Sequence, residues 1–215
     1  MIDWSSPRLK TVVDYDCVRF PFAAVVGSIL GVDCLARLGD GADYELLTRE
    51  RDQQTAFHDR FYASLDAFLP LYKRFLAEHV RPMFKEDIIF QRVPTFRVHL
   101  PNNVAVGSYH VDSDFGHGMS EINFWLPFTD AMDTNSIWVE SAPGLGDYQP
   151  VAVRYGQILL FSGVHLRHGN RPNTTGHTRV SVDFRVIQRS AYEPREVATV
   201  NSGMRFAIGG YFDEF

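Results

Sequence analysis

The chain is poor in cysteine. Cys17 and Cys34 are the only two in 215 residues, too few for a disulfide framework and too sparse for a zinc knuckle. A reducing cytoplasm suits them, and a cysteine nucleophile is not expected because both lie outside the histidine-rich half. Lysine is scarce too: Lys10, Lys73 and Lys85 all precede residue 88, whereas arginine continues beyond it. That pattern fits coding bias and a need for planar, bidentate carboxylate recognition equally well. Positive charge is not in excess, since 21 Lys and Arg stand against 26 Asp and Glu for a net charge of -5. Without a basic field to meet phosphates, nucleic acid is not an expected partner. Long apolar runs are missing as well. The stretch from Phe20 to Val32 is too short to span a bilayer, and the first residues lack a basic region followed by an apolar one, so neither membrane nor export is expected. There is no Gly-x-Ser-x-Gly elbow, no Gly-x-Gly-x-x-Gly opening a helix and no P-loop.

What is present is apolar bulk. With 17 Phe, 9 Tyr and 3 Trp, the chain can bury a sizeable core without staples. In residues 52–79, Phe57, Phe61, Leu65, Phe68, Tyr72 and Phe75 recur at steps of three and four, which predicts an amphipathic helix with an aromatic core face. Pro70 lies inside that pattern and is expected to kink or divide it. Ala23 to Leu38 reads as a second helix, and Gly39 to Gly41 as a loop. From about residue 88 the period changes to two. Candidate strands are Ile88–Gln91, Thr95–Leu100, Ala105–Val111, Glu121–Phe128, Ser136–Glu140, Gln149–Arg154, Gln157–Phe161 and His177–Ile187, with a short one near Val164. The expectation is an α+β chain of one domain: a mainly helical part over 1–87, an all-β part over 88–190 and a C-terminal extension over 191–215. The aromatic helix face suits the back of the β part or a partner subunit equally, which leaves a homo-oligomer open.

Six of the eight histidines fall between His99 and His177. In Gly107-Ser-Tyr-His-Val-Asp-Ser-Asp-Phe-Gly-His-Gly118, His110 and Asp112 are two apart, so at a strand end both side chains reach the same side. The spacing alone is weak and needs company. It has company in Leu159-Leu-Phe-Ser-Gly-Val-His-Leu-Arg-His-Gly-Asn170 and in Asn173-Thr-Thr-Gly-His-Thr-Arg-Val-Ser-Val-Asp-Phe-Arg185. Two histidines and one carboxylate on one face of a metal, with the other positions open, form the triad of non-heme Fe(II) oxygenases. A zinc hydrolase needs one open position and structural zinc needs none. Were 2-oxoglutarate the co-substrate, its far carboxylate would require an always-charged, forked partner. Arg179, eleven residues beyond His168, fits that demand, with Ser181 on the same strand face; Arg185 shares the parity and competes, unless it pairs with Asp183.

These motifs, together with Asn123-Phe-Trp-Leu-Pro-Phe-Thr-Asp130, resemble the Fe(II)/2-oxoglutarate-dependent oxygenases over roughly residues 90–187. Within them the chain is similar to the small streptomycin-biosynthesis-protein-like group and, more distantly, to phytanoyl-CoA dioxygenase. The resemblance implies a double-stranded β-helix, or jelly roll. It implies Fe(II) held by His110, Asp112 and His168, with His165 the rival for the third place. It further implies 2-oxoglutarate anchored by Arg179 with Ser181 helping, O2 as oxidant, and Asn123 as a second-sphere or co-substrate contact. Arg97 and His99, which share parity, and His117, between Gly116 and Gly118, are candidates for a small-molecule substrate. Because Asp112 is retained where related halogenases carry a small residue, hydroxylation is expected and halogenation is not. A small polar metabolite of natural-product biosynthesis is the implied substrate. One departure is visible: relatives often carry Pro-Gly-Ser-His where this chain has Glu140-Ser-Ala-Pro-Gly-Leu-Gly146. A different reading keeps the jelly roll as a metal- or ligand-binding module that does not consume 2-oxoglutarate.

Overall fold

The computed structural model describes residues 2–40, 54–104, 108–195, 197–198 and 203–215. Helices and antiparallel sheets are mixed. The helices come early: α1 (Phe22–Leu30), α2 (Ala56–Ala63) and α3 (Leu65–Phe75), the last running on into a π-helical turn, Leu76–Val80. α1 is shorter than the sequence predicts. Gly31, in the left-handed region at φ 71°, closes it, its N–H donating to the carbonyls of Gly27 and Ser28, and only a 3₁₀ turn at Leu35–Arg37 follows. The long aromatic helix is divided at Ser64 and not at Pro70. Pro70 sits inside α3 at an exposed position, one turn beyond exposed Asp66, whose carbonyl the proline has no N–H to meet. Thr55 caps α2 by accepting from the His58 N–H. The first residues of the predicted helix, 52 and 53, and Gly41 of the predicted loop lie outside the described residues.

The strands are β1 (Lys10–Asp14), β2 (Ile88–Gln91), β3 (Thr95–His99), β4 (Ile122–Pro127), β5 (Trp138–Val139), β6 (Gln149–Pro150), β7 (Gln157–Phe161), β8 (His168–Gly169), β9 (Arg179–Gln188) and β10 (Phe212–Glu214). A large sheet runs β1-β7-β4-β9-β2-β10, and β3 joins β9 beside β2; a small sheet runs β6-β5-β8. Every strand pairing is antiparallel. Three sequence-predicted strands shrink or vanish. Ser136–Glu140 and Gln149–Arg154 keep two residues each. Around Val164 the chain turns, with Leu166 N–H bonding back to Ser162 O at 2.8 Å. Of Ala105–Val111, residues 105–107 lie outside the described residues, and His110 makes one isolated bridge. The large sheet also takes strands from outside 88–190: β1 pairs with β7, and β10 pairs with β2.

β9 organises both faces of the large sheet. Its residues 179–187 are all buried, and they alternate in kind. Val180, Val182, Phe184 and Val186 join Phe22, Phe61, Phe68, Tyr72 and Phe75 of the helices in the main apolar core, where Phe61 stacks on Phe96 at 4.2 Å. The opposite parity carries Arg179, Ser181, Asp183 and Arg185. On that side Trp125, Leu159 and Phe161 of the large sheet meet Ile137 and Val139 of the small-sheet side in a second apolar cluster. No helix among the described residues is long and apolar enough to cross a membrane.

Candidate metal centre

Two chain segments deliver the centre. His110 and His168 face each other across a two-residue antiparallel bridge, His110 N–H to His168 O at 3.0 Å and His168 N–H to His110 O at 2.9 Å. β8, which begins at His168, is itself paired with Val139. Asp112 opens the 3₁₀ turn Asp112–Phe115, and its N–H bonds to Gly163 O at 2.9 Å. Gly163 must be glycine for another reason: a Cβ there would lie 2.6–2.7 Å from the Asn123 side chain.

The ligand atoms of His110, Asp112 and His168 lie within 4.8 Å of one another, the only such group among the described residues. Their hydrogen bonds fix which atoms are offered. His110 Nδ1 is 3.0 Å from Ser108 O, and His168 Nδ1 is 2.9 Å from Leu166 O. A carbonyl only accepts, so each Nδ1 carries the proton and each Nε2 presents a lone pair. Both Nε2 atoms approach Asp112 Oδ1, at 3.5 Å from His110 and 3.4 Å from His168. Three lone-pair atoms thus converge with no donor between them, a donor set that a divalent cation satisfies. The other oxygen, Asp112 Oδ2, accepts from Asn123 Nδ2 at 2.7 Å and Arg185 Nη2 at 2.8 Å. Burial, the strongest single influence, pushes the Asp112 carboxyl up, but the charge of Arg185 and the contacts with His110 and His168 together outweigh it and hold the group well below the ordinary carboxylate range.

His110 and His168 line a cavity of about 460 Å³, open mouth included, and Asp112 lies behind them. Asn123, Trp125, Phe161, Arg179 and Arg185 line it too. Arg179 is 2% exposed, with its guanidinium 5.2 Å from the Trp125 ring centre. Ser181 is fully buried, and its Oγ meets no hydrogen-bond partner among the described residues. Arg97 lines the same cavity and bonds Asp183 through Nε at 2.9 Å. Asp183 in turn accepts from Arg185 Nη1 at 2.5 Å. Burial raises the Asp183 carboxyl, and Arg97 with Arg185 bring it below its usual value.

The remaining sequence candidates sit elsewhere. His99, opposite Arg179 on the neighbouring strand, is fully buried off the cavity lining and bonds Asn103 O through Nε2 at 2.6 Å. Burial, with the charge of Arg179 behind it, pushes its pKa down to about 3, so it stays neutral. His117 stands apart from the cavity, pairing with Glu121 at 2.6 Å and packing edge-on against Phe206 and Tyr211. His165 is turned to Ser162 Oγ at 2.8 Å and is not in the group of three. Sequence reasoning missed the tie from Arg185 to Asp112. The parity of Arg185 was the available signal, but its partner lies 73 residues away.

The fold and the centre define a mixed α+β protein in which two histidines and a carboxylate that could hold a cation sit beside a cavity with a buried arginine. No protein-family model matches the chain. The streptomycin biosynthesis protein StrG of Streptomyces griseus is 41% identical over 207 residues, covering 94% of this chain and 97% of the relative. The chain belongs to the StrG family. Among solved structures it is similar to the non-heme monooxygenase ThoJ in its apo form, 15% identical with a TM-score of 0.50, covering 86% of this chain and 77% of that one. It is also similar to SnoN, a non-heme alpha-ketoglutarate-dependent epimerase from nogalamycin biosynthesis, 16% identical with a TM-score of 0.50, covering 95% and 92%. At such identities the likeness is one of fold.

Proposed function

We propose that this chain is an Fe(II)- and 2-oxoglutarate-dependent oxygenase built on a double-stranded β-helix, with residues 1–215 acting as one domain. The observation that carries the reading is the convergence of His110 Nε2, Asp112 Oδ1 and His168 Nε2 at the edge of the cavity that the two histidines line. When bound, Fe(II) with 2-oxoglutarate and O2 supplies an oxidant strong enough to take hydrogen from an unactivated C–H bond, while the co-substrate leaves as succinate and CO2.

The protein's part is geometric. The Nδ1–H bonds to Ser108 O and Leu166 O fix both imidazole planes. Arg179, buried over Trp125, offers a forked cation to the far carboxylate of 2-oxoglutarate, and the Ser181 hydroxyl has its hydrogen-bonding capacity in hand. Phe161 and Ile137 supply apolar wall and keep water from the reacting atoms. Asp112 occupies a place that a halide would need, which favours hydroxylation over halogenation. The name of the 41%-identical relative supports a small polar metabolite in natural-product biosynthesis as substrate.

The test is oxygen-dependent conversion of 2-oxoglutarate by the Fe(II)-loaded chain, run against panels of polar metabolites. The reading expects succinate formed one-to-one with O2 consumed, and none with Asp112→Ala. Tight metal binding without any affinity for 2-oxoglutarate would instead favour a binding module of the same fold.

A further inference from the structure

We propose that Arg185 is a positioning residue of the metal centre. Together with Asn123 it occupies Asp112 Oδ2, so that Asp112 offers a single oxygen, Oδ1, to the ion. The inference rests on the metal reading above but not on the identity of substrate or co-substrate.

The two donors form a directly opposed cross-strand pair, Asn123 on β4 and Arg185 on β9, so their side chains rise from neighbouring points on one sheet face. Both end on the same atom, Oδ2, at 2.7 and 2.8 Å. A carboxylate oxygen that receives an amide and a charge-assisted guanidinium bond has little lone-pair density left for a cation. Among the described residues Oδ1 receives no such bond, and it faces the two Nε2 atoms. Each donor is itself fixed. Arg185 is held by Asp183, which bonds its Nη1 and is also bonded by Arg97 Nε. Asn123 fits only because Gly163 has no Cβ, and the carbonyl of that same glycine holds the Asp112 N–H. One glycine therefore sets both the backbone and the side-chain orientation of the ligand. With its guanidinium committed to Asp112 and Asp183, Arg185 serves the metal ligand, and the role of co-substrate anchor falls to Arg179.

The full-length protein is to be titrated with Co(II), whose visible d–d absorption weakens as coordination number rises. Arg185→Gln, Arg185→Lys and Asn123→Ala are compared with the parent chain, and 2-oxoglutarate affinity is measured by calorimetry on each Co(II)-loaded protein. Loss of an outer-sphere partner costs about 10- to 100-fold in metal affinity, and that loss is expected for Arg185→Gln. Its d–d band should also weaken as Oδ2 turns to the ion, while 2-oxoglutarate affinity stays unchanged. Arg185→Lys should recover part of the parent band, a response that a merely structural role would not give. An Arg185→Gln protein with unchanged Co(II) affinity and band overturns the proposal. So does one that loses 2-oxoglutarate affinity alone, which would make Arg185 a co-substrate contact. Should Arg185→Gln not fold, Asn123→Ala decides: a weaker band supports the proposal, and an unchanged one overturns it. A parent chain that binds no Co(II) contradicts the metal centre itself, a result distinct from each of these.

Discussion

β9 has two faces that differ in almost every physical respect and share only their burial. Toward the helices it places Val180, Val182, Phe184 and Val186 in the main apolar core. Toward the cavity it places Arg179, Ser181, Asp183 and Arg185, each no more than 8% exposed. The helix side is held by area removed from water and by ring packing, as where Phe184 meets Phe124 at 5.3 Å and Tyr72 at 5.2 Å. The cavity side is held by charges that must pair because they are dry. Replacing such a network by apolar side chains is often neutral or stabilising, so its retention here points to function. The comparison teaches that alternation along a strand identifies faces without saying which face meets water.

Neighbouring substitutions sharpen the contrast most. Phe184→Ala is expected to cost about 3–5 kcal/mol through lost contacts and a cavity. Asp183→Ala is expected to cost a similar ~3–5 kcal/mol by breaking a buried charge network. Their pH dependence separates them. The folded-state pKa of Asp183 is lowered, so its contribution is present above the ordinary carboxylate range and is lost as pH falls through the folded value. The Asp183→Ala penalty should therefore shrink in acid while the Phe184→Ala penalty stays constant. Urea unfolding across pH checks this, and equal pH profiles for the two variants would erase the distinction between the faces.

Two histidines extend the test, one against each side. His58 packs on Phe96, with its pKa pushed down to about 4 by burial and by Arg97, and His99 lies beside Arg179 with a pKa of about 3. Both stay neutral in the folded protein while the unfolded chain takes up protons below about pH 6.5. Stability should thus fall as pH drops below that value, by up to about 1.4 kcal/mol per pH unit for each group until its folded pKa is reached. His99→Gln should flatten the slope between pH 6 and pH 4, and an unchanged slope would contradict a buried neutral imidazole.

Smaller effects probe the cavity face alone. Gly163→Ala forces a Cβ against Asn123 and should cost about 1–3 kcal/mol in stability. It should also weaken metal binding, because Asn123 can no longer reach Asp112; chelator competition would report both the effect and its absence. Ser181→Ala should leave stability nearly unchanged, since the hydroxyl has no partner among the described residues. It should weaken 2-oxoglutarate binding by about 1 kcal/mol, the worth of one hydrogen bond, and calorimetry would show whether that loss occurs.

Strands rich in apolar residues and bounded by turn signals were legible in sequence: β2, β3, β4, β7 and all but the last residue of β9 fall within the predicted runs. β1, β8 and β10 were not. Lys10–Asp14 and Phe212–Glu214 are short edge strands that exist through pairing with β7 and β2, and His168–Gly169 is a strand only because Val139 lies beside it. Tertiary partners, not local preference, make such elements. In the site, His110, Asp112 and His168 were legible from spacing and resemblance, and the fold brings them together. The placement of His117 was not, because it sits on a loop where strand parity carries no information and Glu121 captures it. Nor was the destination of Arg185, since parity gave its face but not the carboxylate it would meet.

The most direct test of the central claim is an anaerobic titration of the metal-free protein with Fe(II) and 2-oxoglutarate, followed by visible absorption. A saturable charge-transfer band that requires both additions, disappears in Asp112→Ala and is strongly weakened in Arg179→Ala is the predicted result. Iron binding confirmed at one equivalent, with no band at any 2-oxoglutarate concentration, would contradict it.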